Sequence, residues 1–91
     1  MVNRKLVVNE SVVYAELDDE AVLLDVETGV YFGLNAIGTQ IWNALRQGAS
    51  PAEIVQQVLA EYEVEPLALQ ADVAEFLATL QARGLIREMA S

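Results

Sequence analysis

A strand that runs straight into a capped helix constrains this chain more than any other feature. Residues 25–42 read DVETGVYFGLNAIGTQIW. After a turn at Glu27, Thr28 and Gly29, the apolar residues Val30, Phe32 and Leu34 alternate with Tyr31 and Gly33, the period of a strand with two distinct faces. Asn35 stops the strand, and its side-chain oxygen can accept from the free N–H groups of a first helical turn. Ile37, Ile41, Trp42 and Leu45 then recur at helical spacing. No loop separates the two elements, so their relative angle is fixed, and a sheet and a helical layer are expected to meet here.

The flanking segments extend that unit on both sides. Residues 11–17 are rich in β-branched and aromatic side chains and read as a strand, followed by an acidic turn at Asp18, Asp19 and Glu20. Residues 21–26, AVLLDV, read as a second strand whose near-continuous apolar character predicts burial on more than one side. Tight turns make an antiparallel meander the economical arrangement, with the second strand in the middle. Residues 1–10 carry mixed signals: Leu6, Val7 and Val8 either extend the first strand or lie loose. The first helix is expected over 36–46, stopping near Gly48. Ser50, Pro51 and Glu53 predict a capping box at the start of a second helix, with Ile54, Val55, Val58, Leu59 and Tyr62 as its buried stripe. An acidic link over 61–65 leads to Pro66, which opens a third helix running to about Arg83. Gly84 ends it, and Leu85 and Ile86 dock the tail. On the third helix Leu69, Val73, Phe76, Leu77 and Leu80 form one apolar stripe. Ala71, Ala74, Ala78 and Ala82 widen it, so this helix needs more than one packing neighbour. The order fits a single small α+β domain over 1–91, of winged-helix type, with a three-stranded antiparallel sheet followed by three helices.

Several function classes are excluded or disfavoured. The chain has no cysteine and no histidine. That removes disulfides, thiolate metal sites, thiol nucleophiles, the commonest general base and the commonest transition-metal ligand. The carboxylates of 18–20 and 61–65 fall in connections, where clustered charge is usually solvated, so no catalytic residue, metal or cofactor is expected. Ser11 lies in a strand, Ser50 is a cap and Ser91 is terminal, which leaves no free nucleophile for an enzyme acting alone. An acyl carrier would need a modifiable serine heading a helix, and Ser50 stands between Ala49 and Pro51. With 14 acidic and 5 basic residues the net charge is −9, which repels nucleic acid and anionic membranes. No apolar run approaches the roughly 18 to 20 residues of a membrane span, and no signal peptide is evident, so a soluble cytoplasmic protein is the default.

A binding module fits these residues better. In the meander the third strand is an edge whose unpaired N–H and C=O groups can take an extended peptide as a further strand. The third helix can form the opposite wall of a groove. Recognition of a folded protein partner is the competing possibility.

The ordered set Leu34-Asn35, Gly38, Ile41-Trp42, Asp72-Val73, Phe76-Leu77 and Gly84-Leu85 resembles the PqqD-like family of RiPP precursor-peptide recognition elements, over about residues 12–87. The resemblance implies a winged-helix-like domain that binds the leader of a ribosomally made precursor peptide as an added strand and presents it to a modifying enzyme. The free-standing leader-binding proteins of lasso-peptide clusters look most similar. Their partner is a separate leader-cleaving cysteine protease. Members that act in pyrroloquinoline quinone synthesis, as peptide chaperones for a radical SAM enzyme, tend to carry Cys-Asp-Gly after the first helix, where this chain has Arg46-Gln47-Gly48. On this basis Val30, Tyr31, Phe32 and Gly33 are expected to pair with the peptide backbone. Leu69, Asp72, Val73 and Phe76 are the candidates to face its side chains. Phe32, Leu34, Ile41 and Trp42 are expected in the core.

Overall fold

The computed structural model describes residues 4–18 and 20–90. The elements in chain order are β1 (Arg4–Val8), β2 (Val12–Leu17), β3 (Glu20–Asp25), β4 (Tyr31–Leu34), α1 (Ala36–Arg46), α2 (Pro51–Glu61), α3 (Pro66–Ala82) and β5 (Ile86–Ala90). β2, β3 and β4 form the expected antiparallel meander with β3 in the middle, and three helices follow. Asp19 of the acidic turn and Ser91 lie outside the described residues.

The helix boundaries follow from their caps. Asn35 Oδ1 accepts from the Gly38 N–H at 2.8 Å and starts α1 directly after β4. At α2 the Glu53 N–H donates to Ser50 Oγ at 3.2 Å and the Ser50 N–H donates to Glu53 Oε1 at 2.9 Å. This reciprocal box satisfies two otherwise orphaned donors, and hydrogen bonds from the Ser50 N–H and hydroxyl hold the Glu53 carboxyl below its ordinary pKa. Glu65, the last residue of the acidic link, caps α3 by accepting from the N–H groups of Leu67 and Ala68. α3 ends at Ala82 with Arg83 as its C-cap. Gly84 takes φ +76°, which lets the chain reverse so that the Leu85 N–H returns to the Leu80 C=O at 2.9 Å.

One contiguous core lies between the meander and the helices. It is built from Leu23 and Leu34 of the sheet, Ile41 and Trp42 of α1, Ile54 and Val58 of α2, and Leu69, Val73, Leu77 and Leu80 of α3, with Leu85 and Ile86 docked beneath. Each such side chain contributes about 1.5–3 kcal/mol when fully buried.

Three features differ from the reading of the sequence. The N-terminal segment neither extends the meander nor lies loose. β1 pairs antiparallel with β5 as a separate two-stranded ribbon, from Arg4 opposite Ala90 to Val8 opposite Ile86. Its closed end is tied by Asn9, whose N–H donates to the Leu85 C=O at 3.1 Å and whose side-chain amide donates to the Gly84 C=O. Local strand signals cannot reveal a partner almost a full chain length away. Second, β3 is buried on one face only: Ala21, Leu23 and Asp25 are buried, whereas Leu24 is exposed. The helices cover one side of the meander and leave the other open. Third, Ala71, Ala74, Ala78 and Ala82 are exposed rather than part of a widened buried stripe.

Asp25 is the buried polar residue of the sheet. Burial works to raise the pKa of its carboxyl, but hydrogen bonds from the Glu27 N–H, the Ser11 hydroxyl, and the Thr28 N–H and hydroxyl outweigh that cost and lower it overall. The Glu27 N–H lies 2.9 Å from Asp25 Oδ1, and the Gly29 N–H returns to the Asp25 C=O at 2.8 Å. This turn sets the register in which β4 begins.

Candidate functional site: an edge strand beside an apolar groove

Among the described residues β4 has β3 on one side and no strand on the other. The phase of the ladder decides which of its backbone groups are free. The Asp25 N–H bonds the Val30 C=O at 2.9 Å across the β3–β4 pair. In an antiparallel pair this places residues 30, 32 and 34 in the hydrogen-bonded class and turns the backbone groups of 31 and 33 outward. Tyr31 and Gly33 therefore each present an N–H and a C=O along the edge. Val30 belongs to the turn instead: its N–H donates to Thr28 Oγ1 at 3.3 Å, so it has no free donor for another strand. Phe32 directs its backbone to β3, opposite Leu23.

Beside this edge lies an open groove of about 590 Å³. Phe32, Gly33 and Leu34 form one wall, and Leu69, Asp72, Val73 and Phe76 of α3 form the other. Ile37, Gly38 and Ile41 of α1 make the floor, a consequence of β4 passing into α1 without a loop. The rings of Phe32 and Phe76 meet edge to face, with centroids 6.0 Å apart and planes at 63°. The Arg83 guanidinium lies 5.4 Å from the Phe32 ring centroid at the same end. Val64 and Glu65 mark the other end. From Glu65 to Phe76 a helix rises about 16 Å, the length of roughly five extended residues.

The structure thus brings Phe32, Gly33, Leu69, Asp72, Val73 and Phe76 together around one groove and leaves Val30 and Tyr31 outside its lining. Tyr31 projects from the opposite face of the sheet. Leu34, Ile41 and Trp42 are buried as expected, whereas Phe32 is half-buried and shared between core and groove, as is Phe76. Asp72 is exposed on the rim. Leu69 and Val73 are buried and show the groove only an edge.

The reading of the sequence left Gly38 without a role in the site. A Cβ there would lie 3.2 Å from Asn35 Oδ1, 3.4 Å from Leu34 Cδ2 and 3.6 Å from Phe76 Cζ. The missing side chain is what lets the floor stay open. The available signal was a glycine inside an otherwise strong helical pattern, which costs about 1 kcal/mol against alanine and asks for a packing reason.

The groove is apolar, with the carboxylates of Asp72 and Glu65 as its charged lining residues. Among the described residues no group of acidic side chains is arranged to hold a metal ion, and no helix is long and apolar enough to cross a membrane. An unpaired edge next to an apolar trough is suited to an extended chain: the edge supplies hydrogen bonds and the trough takes alternate side chains.

The family model for coenzyme PQQ synthesis protein D, PqqD, matches residues 20–86. The chain belongs to the PqqD family. Within the PqqD fold it is similar to a solved structure of TbiB1 in complex with the TbiA(beta) leader peptide, with 41% identity over 93% of this chain and 99% of that one and a TM-score of 0.84. It is also similar to a lasso peptide synthetase B1 complexed with the leader peptide, with 32% identity over 90% of this chain and 96% of that one and a TM-score of 0.82. No curated protein matches the chain.

Proposed function

We propose that this PqqD-family protein is a non-catalytic adaptor. It binds the leader of a ribosomally made precursor peptide as a strand added to β4, seats the leader's apolar side chains against α3, and presents the peptide to a separate maturation enzyme, a lasso-type leader-cleaving cysteine protease. The observation that carries this reading is the pairing of a free β4 edge with the apolar groove beside it. Its support from relatives is that both similar structures were solved with leader peptides. Four backbone groups on Tyr31 and Gly33 supply hydrogen bonds of about 1 kcal/mol net each, and two buried anchors add about 1.5–3 kcal/mol each. These total about 7–10 kcal/mol before association and ordering costs, so the roughly 8 kcal/mol of micromolar binding draws on further leader contacts along the groove.

The test is a fluorescence-anisotropy titration of the purified protein with labelled leader peptides encoded beside it. Saturable binding in about the micromolar range is expected. Phe76→Ala should weaken it about tenfold or more through loss of an anchor. Asp72→Asn should weaken it by no more than about fivefold, the scale of an exposed ion pair. A folded protein that binds none of these leaders would overturn the adaptor reading. The description of the matching family model, coenzyme PQQ synthesis protein D, favours a second reading, a part in pyrroloquinoline quinone synthesis, in which the protein would serve a radical SAM enzyme as its peptide chaperone. Arg46-Gln47-Gly48 at the end of α1 weighs against it.

A further inference from the structure

Arg83 sets a positive charge at one end of an otherwise apolar and acidic groove. Its guanidinium lies 5.4 Å from the Phe32 ring centroid, where Phe32 also meets Phe76. The other arginines with described side chains stand elsewhere: Arg46 lies over the Tyr14 ring beside β2, and Arg87 borders the hollow that holds Glu10, Asp25 and Glu27. Arg83 is the C-cap of α3 and exposed, and among the described residues no carboxylate forms an ion pair with it. A cation at a helix C-terminus is favourable by itself, but that benefit does not ask for an aromatic partner. A guanidinium held against a ring is restrained without spending its N–H donors, which remain available to a carboxylate in the paired planar geometry.

The edge of β4 leaves the register of an added strand open. Backbone pairing with Tyr31 and Gly33 repeats every two residues, so a leader that slips by two keeps its hydrogen bonds and the same face toward the groove. Such a slip moves each side chain about 7 Å. An apolar trough discriminates weakly between two apolar side chains, whose difference is on the order of one or two methylene groups. A charge discriminates better, because a shift of about 7 Å breaks an ion pair that needs about 4 Å. The charges of the groove are also ordered: Glu65 and Asp72 lie along its α3 wall, and Arg83 stands at the Phe32 end. A leader carboxylate seated at Arg83 is held there. Slip one way carries it toward Asp72, which repels it, and slip the other way carries it off the end of the groove.

We propose that Arg83 is a specificity-determining residue that fixes the register of the leader by pairing with one Asp or Glu, carried on the groove-facing side of the added strand next to the side chain that packs on Phe32. The proposal rests on the strand-addition reading above and goes beyond it in naming the leader chemistry that this end of the groove takes. With a net charge of −9 the chain as a whole repels acidic peptides. The carboxylate is therefore a single residue rather than part of an acidic run, and the leader segment along Asp72 and Glu65 is neutral or basic.

The test is a double-mutant cycle, read by anisotropy with the labelled leader encoded beside the chain. Each Asp or Glu of the leader is changed singly to its amide and titrated against wild type and Arg83→Gln. One leader substitution is expected to weaken wild-type binding about fivefold, the upper range of an exposed ion pair, and to change binding to Arg83→Gln by less than about twofold, because the coupled partner is already gone. Arg83→Glu should weaken the natural leader further, and Lys at that one leader position should restore most of the loss. Circular dichroism checks folding. Should Arg83→Glu not fold, Arg83→Gln at an exposed cap carries the cycle alone. Equal losses from Arg83→Gln with every leader, amide variants included, overturn the proposal, since Arg83 would then act only by packing on Phe32. So does unchanged binding of Arg83→Gln, or a leader whose acidic residues can each be replaced without loss. Wild-type protein that binds no leader removes the adaptor reading and this proposal with it. Leader binding without the coupling removes this proposal alone.

Discussion

The meander has two free edges, β2 and β4, and they are guarded differently. On β2 the Val26 N–H bonds the Ser11 C=O at 3.0 Å, a phase that turns the backbone groups of Val12, Tyr14 and Glu16 outward. Beside that edge is a hollow of about 250 Å³ carrying Glu16, Asp18 and Glu20. The Tyr14 hydroxyl donates to Glu16 Oε1 at 2.7 Å, and Arg46 lies 5.8 Å from the Tyr14 ring centroid. The hydrogen bond to Glu16 leads the effects that hold the Tyr14 phenol above its ordinary pKa. Charge beside an edge is a common device against unwanted strand pairing. β4, reading YFGL, carries no charge and borders a groove more than twice as large. An unpaired edge alone is therefore a weak sign of a binding site, and the side chains beside it decide whether another strand is invited or repelled.

The largest expected effect breaks this contrast directly. Tyr31→Pro deletes an outward N–H from β4, and proline is tolerated where the N–H faces away from the sheet. Leader affinity should fall about a hundredfold, from the lost hydrogen bond and displaced neighbours together. Glu16→Pro, the matched change on β2, should leave it unchanged. Equal losses from both variants, with circular dichroism showing both folded, would mean that the two edges are not distinguished. A smaller effect isolates the groove from the edge. Gly38→Val places a branched side chain on the floor without touching β4's backbone and should cost about tenfold in leader affinity. Its stability in urea should fall by about 1–3 kcal/mol, because crowding against Asn35, Leu34 and Phe76 outweighs the small helix-propensity gain over glycine.

The smallest effect concerns the turn that positions β4. The Asp25 carboxyl has a lowered pKa in the folded protein, so its contribution is fully present above the unfolded value of about 3.9 and is lost as pH falls through the lower folded value. The stability gap between wild type and Asp25→Asn should be widest at neutral pH and close as the pH drops below about 4. Amide exchange should sharpen the comparison under acid: the Phe32 and Leu34 amides should lose protection before those of Val13 and Ala15. Simultaneous loss on both strands would show that Asp25 braces the sheet as a whole.

The elements legible in the sequence were those defined by neighbours. Asn35, Ser50-Pro51-Glu53 and Gly84 announce helix ends through nearby residues, and the meander's strands announce themselves by β-branched and aromatic composition, by an apolar run and, for β4, by alternation. Pairing over long separations was not legible, which is why the β1–β5 ribbon emerged only in three dimensions. The apolar run AVLLDV suggested two-sided burial because sequence records that Leu24 is apolar, not that nothing covers it. The groove was partly legible. Phe32 and α3 could be named as walls, but its floor depends on α1 lying beneath both, and the division between Tyr31 and Phe32 depends on a ladder phase set by one hydrogen bond from Asp25.

The ribbon has a consequence for modularity. Arg4 and Ala90 face each other across β1 and β5, a separation of about 5 Å in an antiparallel pair. Neither strand lines the groove. A chain that enters and leaves this unit at the ribbon does so through one narrow gate, the arrangement that tolerates insertion into a surface loop of another protein.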